Sequence, residues 1–447
     1  MNLFKFKEKT KPRGEYKEDI LAMLDAECRR RHDERRPLEL RWMLSADFFS
    51  GHQYCDINPY NTELEDYTPP FDYMERGVYN RIAPLVETRI ANFKSLDFLM
   101  EVHPATCEVS DYEKSLVATR LLSQTQYKCG FADKLDNLIL WSELCGTAFL
   151  LSWWDRNAGD AVRIGERRVP LGDLDFGVLT PYEVLPESIY KENLDDQSSV
   201  ILEQVVRVEE VDRRFGVRVK PCRAETLGIT PAAGVGGFGY VGTTLGMTTR
   251  TAENSTLLRT YLERANARYP SGRMIIATPD RILYYGTLPI DGYPLAVLRC
   301  KRVPGMFFGR SVIEDLIPLQ RAYNGVKNKL HDYIRSLSLN PLLVPEGSVS
   351  DVDELAQNGV APGDIVEYDP TRGEPKPLSA PQMPSGIFEE CDNLAREMEY
   401  VAGLSHLGAT GNSQSTLTSA TAIERLREID GVRLALTGDN IRAAILA

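Results

Sequence analysis

The sequence contains no apolar run that approaches the roughly 20 residues needed to span a bilayer. Its N-terminus, Met1 to Lys11, lacks the apolar core of a secretory signal peptide. Acidic residues outnumber lysine and arginine, so the formal net charge is -12. Tight wrapping of nucleic acid requires lysine and arginine to neutralise phosphates, so this deficit allows passing contact with DNA and disfavours anything tighter. We expect a soluble, intracellular protein with no membrane partner.

Motifs of catalysis and metal binding are missing as well. The eight cysteines stand singly with no C-x-x-C pair, and the five histidines show no H-E-x-x-H spacing. The sequence has no G-x-x-x-x-G-K-[ST] phosphate loop and no G-x-S-x-G nucleophile elbow. We therefore predict reduced cysteines, no metal, no cofactor and no enzymatic activity.

One glycine motif formally matches a dinucleotide-binding fingerprint. Gly234 to Gly239 reads G-x-G-x-x-G, but that fingerprint requires a strand before it and a helix after it. Here Pro231 to Ala233 precede the motif, and Val241 to Thr249, rich in glycine and threonine, follow it. We predict a flexible surface loop within a glycine-rich insertion at 228–250. A nucleotide-dependent oxidoreductase stays open as the enzymatic alternative.

Two stretches with apolar residues at alternating steps of three and four are the most informative feature present. This spacing is typical of a helix with one narrow apolar seam. Each seam needs a partner helix and each is the nearest candidate for the other, so we predict a long helical hairpin. The first seam comprises Leu316, Leu319, Tyr323, Val326, Leu330, Tyr333 and Leu337, and the second comprises Ile387, Cys391, Leu394, Met398 and Val401.

The ends of both helices carry capping signals. Ser311 and Glu314 form an S-x-x-E capping box before the first helix. Ser385 can cap the second helix, and Gly403 can end it. Pro318 lacks the N–H that a helix interior uses, so we expect a kink there.

The connection between these helices, 339–384, is too long for a structureless loop inside a compact domain. It should fold as a small domain with a strand at Leu342–Val344, a short helix from Ser350 to Gly359 and a second strand at Ile365–Tyr368. Its charges are mostly acidic, and a solvated surface and a docking surface are equally open interpretations. The docking candidates are Asp351, Asp353, Glu354 and Glu367.

The rest of the chain is helical at first and then rich in strands, an order that predicts an α+β fold. The charged stretch Arg29 to Arg36 is interrupted by Asp33 and Glu34, so we interpret it as a solvated helix face rather than a nucleic-acid patch. Helices are predicted at Ile20–Arg36, Leu40–Phe49, Met74–Leu99, Leu116–Tyr127 and Leu135–Leu144, and strands at Thr147–Trp154, Val178–Thr180, Val200–Val208, Leu257–Glu263, Met274–Ala277, Arg281–Tyr285 and Leu295–Cys300.

Five short segments carry a family resemblance through their order and spacing. They are Tyr79–Pro84, Gly146–Leu150, Thr180–Pro186, Tyr269–Arg273 and, above all, Pro304–Leu316. Together with the helical hairpin they resemble the portal protein, or head-to-tail connector, of tailed double-stranded DNA bacteriophages. The resemblance implies a wing at 1–303, a first stem helix at 304–338, an α/β clip at 339–384, a second stem helix at 385–402, a tunnel loop at 403–418 and a wing helix at 419–447 that continues toward a crown beyond this chain.

The resemblance also implies a function. Portal proteins form a ring, a dodecamer in that family, at one capsid vertex of the virion. DNA passes through the ring without sequence preference, driven inward by the terminase large subunit and outward at ejection. Further implied partners are head-completion or adaptor proteins at the clip and the major capsid and scaffolding proteins, with assembly in the host cytoplasm. Another virion assembly or tail protein built on the same hairpin is the alternative. The DNA-channel candidates are Arg321, Lys327, Asn328, Lys329, Arg335, His406, Asn412 and Gln414.

Overall fold

The structure is a computed structural model in which helices and sheets are both abundant, and it confirms an α+β fold. No helix within the described residues is long and apolar enough to cross a membrane. The described residues are 17–66, 76–94, 100–155, 159, 161–164, 167–222, 224–232, 244–252, 254–288, 290–338, 342–349, 367–374, 376–377, 386–404 and 434–446.

The elements are numbered in chain order. The helices are α1 (Lys17–Ser50), α2 (Ile82–Lys94), α3 (Val109–Lys128), α4 (Phe131–Cys145), α5 (Val208–Phe215), α6 (Val312–Ser338), α7 (Gly386–Ala402) and α8 (434–446). The strands are β1 (Cys55–Ile57), β2 (Leu64–Asp66), β3 (Thr147–Asp155), β4 (Ala161–Ile164), β5 (Arg167–Pro170), β6 (Asp173–Leu179), β7 (Val184–Pro186), β8 (Ser199–Arg207), β9 (Ala224–Ala232), β10 (Thr244–Ala252), β11 (Ser255–Glu263), β12 (Arg273–Thr278), β13 (Arg281–Gly286), β14 (Leu295–Arg299), β15 (Leu342–Leu343) and β16 (Lys376–Pro377).

A five-stranded antiparallel sheet in the order β13-β12-β11-β8-β7 is buried on both faces. Successive side chains of a strand point to opposite faces. Leu202 and Ile276 accordingly join the main core, whereas Ile201 and Ile275 join a second cluster with Leu24 of α1. The first half of α1 therefore covers the face of the sheet that lies away from the main core.

A second, three-stranded sheet in the order β14-β3-β6 contributes to the main core. The strand predicted at Thr147–Trp154 forms β3, the central strand of this sheet. Phe149 of β3 is fully buried and stacks on Phe307, with ring centroids 5.9 Å apart. The strand prediction at 147–154 is confirmed, and the first five residues, Thr147 to Leu151, are buried as a central strand requires.

The chain divides into two compact units. The first contains Met1–Tyr67, Asn80–Gln320 and Glu397–Ala447, and the second contains Thr68–Tyr79 and Arg321–Arg396. Both sheets described above lie in the first unit, and the small β15–β16 sheet lies in the second.

The two helices predicted in the first fifty residues are one continuous helix, α1, so the predicted break was wrong. Pro37 lies inside it and removes one helical hydrogen bond. Leu24 is buried before the proline, and Trp42 and Phe48 are buried after it. Because both halves are held against the protein interior, tertiary packing outweighs the local cost of the proline.

The predicted helix at Met74–Leu99 is wrong at its start. In the described part of that range α2 begins at Ile82, because the Asn80 side-chain oxygen accepts the N–H groups of Ile82 and Ala83 at 3.0 and 3.2 Å. Pro84 then falls in the first turn, where a missing N–H costs nothing. Residues 67–75 and 95–99 lie outside the described residues.

The prediction of a loop throughout the glycine-rich insertion is wrong for the parts that the structure describes. β9 and β10 pair in antiparallel register from Ala224 opposite Ala252 to Ala232 opposite Thr244. Threonines in both strands and Ile229 in β9 favour this pairing over a loop. The G-x-G-x-x-G motif itself lies outside the described residues, but strands flank it on both sides. A dinucleotide site would need a helix after it, so the oxidoreductase alternative loses its structural premise.

The small domain between α6 and α7 is described only in part. The strand predicted at its start is confirmed as β15, which pairs with β16. Of the second predicted strand, Tyr368 forms an isolated bridge with Val349, and Ile365 and Val366 lie outside the described residues. The helix predicted from Ser350 to Gly359 also lies outside them.

Candidate functional site

The start of α6 carries the capping box expected from the sequence. The Ser311 hydroxyl oxygen accepts the N–H of Ile313 at 3.0 Å, and the Glu314 carboxylate accepts the N–H of Ser311 at 3.4 Å. Pro318 lies inside α6, and the helix continues beyond it to Ser338. The bonds of Ser311 and Glu314 confirm the predicted N-terminal cap.

The end of α7 is a Schellman motif. Gly403 has a φ of 76°, and its N–H donates to the Tyr400 carbonyl at 3.1 Å. The N–H of Leu404 donates to the Glu399 carbonyl at 3.0 Å. This pair of bonds satisfies the last carbonyls of the helix. The predicted stop at Gly403 is confirmed, and Ser385 lies outside the described residues.

Burial along α6 and α7 follows the apolar spacing read from the sequence. Packing of the two seams on each other remains a prediction. The side chain of Leu337 is outside the described residues. The buried seam residues are Leu316, Tyr323, Leu330, Cys391, Leu394 and Met398, and the partly buried ones are Leu319, Val326, Tyr333, Ile387 and Val401.

Polar residues four positions apart on α6 bind the backbone of the segment before α2. In the first unit, the Gln320 side-chain oxygen accepts the N–H of Arg81 at 3.0 Å. In the second unit, the Asn324 oxygen accepts the N–H of Tyr79 at 3.0 Å. Asn328 there accepts the N–H of Gly77 at 3.0 Å and donates to the carbonyl of the same residue at 3.2 Å.

These contacts give Asn328 a role that the sequence analysis did not foresee. Asn328 is one of the predicted DNA-channel residues, and the structure shows its amide bound to Gly77. Its contact with DNA remains a prediction. Gln320 and Asn324, which are almost fully buried, were not selected at all. Amides recurring every four residues along one helix face are the signal that could have found them, because residues i and i+4 lie one above the other.

The other channel candidates on α6 differ in exposure. Lys329 is exposed, and Arg321 and Lys327 are partly buried. The Lys327 ammonium lies 5.6 Å from the ring centroid of Tyr323, within the range of a cation–π contact. Contact of these residues with DNA remains a prediction. Arg335 lies in α6 with a side chain that is not described, and His406, Asn412 and Gln414 lie outside the described residues.

The clip docking candidates are mostly beyond the described part of the chain. Glu367 is exposed. Asp351, Asp353 and Glu354 lie outside the described residues. Docking at the clip therefore remains a prediction.

A buried ion pair in the first unit joins several elements. The Arg89 guanidinium of α2 makes two parallel hydrogen bonds to the Glu143 carboxylate of α4, at 2.9 and 3.1 Å. Arg89 is 4 % exposed and Glu143 is 0 % exposed. The third donor of Arg89 binds the carbonyl of Ala402, the last residue of α7. A cation at this position favours the helix, because the C-terminal end of a helix carries partial negative charge.

Glu143 has further contacts that extend this junction. Its carboxylate accepts the thiol of Cys300, with a sulfur–oxygen distance of 3.4 Å. Its backbone carbonyl accepts the hydroxyl of Ser311, the residue that caps α6. Glu143 thus contacts two residues at helix ends. Its carboxylate binds Arg89, which binds the end of α7, and its carbonyl binds Ser311, which caps α6.

The contacts of Arg89 with Glu143 and Ala402 were not predicted from the sequence. The local signal is a charged residue in an apolar helical stripe, since Arg89 follows Ile82, Leu85 and Val86 on the buried face of α2. Such a position calls for a buried partner, because an unpaired charge in the interior is costly. The partner could not be named from the sequence, since it is 54 positions away.

Two arginines of the charged stretch in α1 are buried, so the interpretation as a solvated face is wrong for them. Arg31 and Arg35 are each 2 % exposed. Arg31 donates to the carbonyl of Leu185 at 3.0 Å, and Arg35 donates to the carbonyls of Pro181 and Val184 at 3.0 and 2.9 Å. β7 is an edge strand of the five-stranded sheet, so these arginines attach α1 to a sheet edge with few other partners for its carbonyls.

A charge network accompanies this attachment. The ring nitrogen Nε2 of His32 lies 2.9 Å from the Glu203 carboxylate of β8. Arg259 of β11 also donates to Glu203, at 2.7 Å, and to Asp25 of α1 at 3.1 Å. Burial by itself would raise the pKa of Glu203, but the hydrogen bond from His32 and the charge of Arg259 outweigh it and lower the pKa to about 2.

This network predicts a loss of stability in mild base. Hydrogen bonds to Glu203 and then to Glu39 raise the pKa of His32 from 6.5 to about 9, against the opposing effect of burial. A group whose pKa is raised by folding stabilises the protein fully below its unfolded pKa of 6.5, and this stabilisation disappears as the pH rises through about 9.

We therefore compare wild type with His32→Gln by urea denaturation at about pH 6 and about pH 10. The His32 side chain is 38 % exposed, so solvent screening reduces the effect to about 1 kcal/mol of additional loss in wild type. Equal losses in the two proteins would show that His32 does not carry this dependence.

The described residues also hold a group of possible metal ligands. Asp47, His52 and Cys55 each offer one ligand atom, and these atoms lie within 4.8 Å of one another. The sequence predicted no metal, because it contains neither a C-x-x-C pair nor an H-E-x-x-H motif. This group instead includes an H-x-x-C spacing, formed by His52 and Cys55.

Comparison with known proteins identifies the family to which the chain belongs. The sequence model of the phage P22-like portal protein family matches residues 186–447, which contain α6, α7 and α8. A search of curated proteins finds no match for the chain. The resemblance read from the sequence is therefore supported independently by the family match. Because that match spans more than half of the 447 residues, the chain belongs to the P22-like family of bacteriophage portal proteins, the structural proteins of the head-to-tail connector.

Proposed function

We propose that this chain assembles into a closed ring, a dodecamer, at one vertex of a phage capsid. The ring is the conduit through which the terminase large subunit packages double-stranded DNA and through which the DNA later leaves. The clip at 339–384 docks the motor during packaging and head-completion or adaptor proteins afterwards. The major capsid and scaffolding proteins surround the ring. The observation that carries this proposal is the family match over residues 186–447.

Charge and burial support the same proposal. The net charge of -12 disfavours lasting adhesion of DNA, because acidic groups repel phosphate, so DNA can slide through an acidic ring. Lys329 is exposed on α6 and offers a transient contact to the DNA backbone. Leu330, the next residue, is buried, as expected for a helix with a packed seam and a solvated face.

Negative-stain microscopy of the purified full-length chain tests the proposal. We expect closed rings with an axial hole in end-on views, and native mass spectrometry should count the subunits. Monomers or open filaments would contradict the proposal. A ring that does not support DNA packaging when it replaces the native portal would point instead to another virion assembly or tail protein.

Adjacent residues of α6 provide a matched pair of variants. Leu330→Asp places a charge at a buried seam position, where it has no partner, and we expect ring formation to be lost. Lys329→Asp places the same charge on the exposed face, and rings should form as in wild type. Normal rings from Leu330→Asp would exclude seam packing as the basis of assembly. Loss of rings from Lys329→Asp would assign assembly to the opposite helix face.

A further inference from the structure

The end of α1 and the hairpin that follows it bring three different ligand types together. Asp47 lies in the last turn of α1, His52 in the loop after it and Cys55 at the start of β1. Their ligand atoms are within 4.8 Å of one another. Asp47 is 3 % exposed and Cys55 is 0 % exposed, while His52 is partly open to solvent. The group therefore has two buried ligand residues and a third that solvent can reach.

The imidazole of His52 has a carboxylate on each side. Its Nδ1 lies 3.6 Å from an Asp47 oxygen, and its Nε2 lies 3.0 Å from an Asp66 oxygen. β1 and β2 pair with Cys55 opposite Asp66, which places both residues next to the ring. A histidine that binds metal through one nitrogen usually donates its other N–H to a carboxylate, which fixes the ring orientation. Asp66 occupies that supporting position.

The distances suit a small tetrahedral ion. Zinc binds histidine nitrogen and carboxylate oxygen at about 2.0–2.2 Å and cysteine sulfur at about 2.3 Å, so tetrahedral ligands lie roughly 3.3–3.6 Å apart. The Asp47 and His52 ligand atoms are already at 3.6 Å. The thiol of Cys55 donates to the carbonyl of His52 at 3.3 Å, and its sulfur lies within 4.8 Å of the other two ligand atoms.

The donor set identifies the class of ion. Calcium and magnesium select oxygen ligands, whereas a set of sulfur, nitrogen and oxygen suits zinc. We propose that Asp47, His52 and Cys55 bind a zinc ion, with water as the fourth ligand and with Asp66 orienting the imidazole. The bound ion ties the last turn of α1 to the β1–β2 hairpin.

A metal-free explanation exists and can be separated from the proposal. A protonated His52 between Asp47 and Asp66 would account for both carboxylate contacts without any part for sulfur. Zinc binding requires Cys55 to lose its proton and become a ligand. The decisive measurement is therefore one that reports on the sulfur.

The test uses the full-length chain, treated with a chelator and then titrated with cobalt(II) as a spectroscopic substitute for zinc. We expect a thiolate-to-cobalt charge-transfer band that saturates at one equivalent and disappears when zinc is added. Cys55→Ser should abolish the band, and Cys107→Ser, which alters an exposed cysteine, should retain it. No band in wild type, or an equal band in Cys55→Ser, would overturn the proposal. Loss of the band in Cys107→Ser would identify adventitious binding at an exposed thiol and would also overturn it.

A second variant keeps the proposal testable if Cys55→Ser does not fold. Asp66→Asn leaves all three ligands in place and should weaken zinc affinity about 10- to 100-fold, because it removes the carboxylate that orients His52. Its matched control is Glu65→Gln on the same strand, whose carboxylate binds Asn58 and Asn61 instead. The band at saturating cobalt should persist in both variants. Unchanged affinity in Asp66→Asn would refute the arrangement proposed here.

Discussion

Replacing Arg89 by methionine is expected to lower the free energy of unfolding by about 3–5 kcal/mol, the cost of leaving one partner of a buried ion pair alone. Glu143 is fully buried and would be left without the guanidinium that binds it. The carbonyl of Ala402 at the end of α7 would also lose its cationic donor. Urea denaturation followed by circular dichroism measures the change.

The same two helices supply a matched control. Lys94 of α2 pairs with Asp136 of α4 at 2.6 Å, but the lysine side chain is 52 % exposed. Lys94→Met should therefore cost less than about 1 kcal/mol, as surface ion pairs usually do. Comparable losses from Lys94→Met and Arg89→Met would show that burial does not set the strength of these pairs.

A double replacement separates the loss of the ion pair from the cost of the charge left behind. In Arg89→Met combined with Glu143→Leu, no charge remains buried, and apolar side chains fill a similar volume. We expect this variant to recover most of the stability lost in Arg89→Met, because buried pairs are often replaced by apolar residues at little cost. A double variant no more stable than Arg89→Met would mean that the junction depends on the bonds of Arg89 to α7.

Replacing Arg35 by methionine is the second large effect. Arg35 donates to the carbonyls of Pro181 and Val184 beside the sheet edge and to the Glu39 carboxylate at 2.6 Å. Each hydrogen bond from a charged donor contributes about 1.5 kcal/mol or more, so loss of the two carbonyl bonds should cost about 3 kcal/mol. Thermal and urea unfolding should both report the loss.

Arg29 provides the control for this variant because it belongs to the same charged stretch of α1. Its side chain is 77 % exposed and pairs only with Asp25 of the same helix among the contacts that the structure gives for it. Arg29→Met should change the free energy of unfolding by less than about 0.5 kcal/mol. A similar effect from Arg29→Met and Arg35→Met would mean that the stretch acts as a solvated face after all.

These two predictions concern Arg35, which the sequence pattern assigned to a solvated face, and Arg89, for which no role was predicted. Arg31 and Arg35 belong to a run that looks solvated, because Asp33 and Glu34 interrupt its basic residues. Only the sheet edge, about 150 positions further along the chain, makes two of the arginines structural. Local charge pattern cannot distinguish a solvated arginine from one that binds distant carbonyls.

The amide contacts of α6 illustrate the same limit at a candidate site. Asn328 has the polarity expected for a channel residue, and its position opposite the apolar seam encouraged that interpretation. The structure adds a contact that its polarity did not indicate, because its amide binds the backbone of Gly77, 251 positions away in sequence. A polar side chain carries the same sequence signal whether it faces solvent, DNA or another segment of the chain.

The sequence by itself determined the helices α6 and α7, their caps at Ser311 and Gly403, about half of the described strands and the likeness to phage portal proteins. Those features depend on periodicity and turn chemistry within a few residues, where neighbours along the chain are neighbours in space. Tertiary structure alone decided which charges are buried, that α1 passes Pro37 without a break, and that Asp47, His52, Cys55 and Asp66 meet. These outcomes rest on contacts whose partners are set by packing of separate elements, and such packing leaves no local periodicity in the sequence.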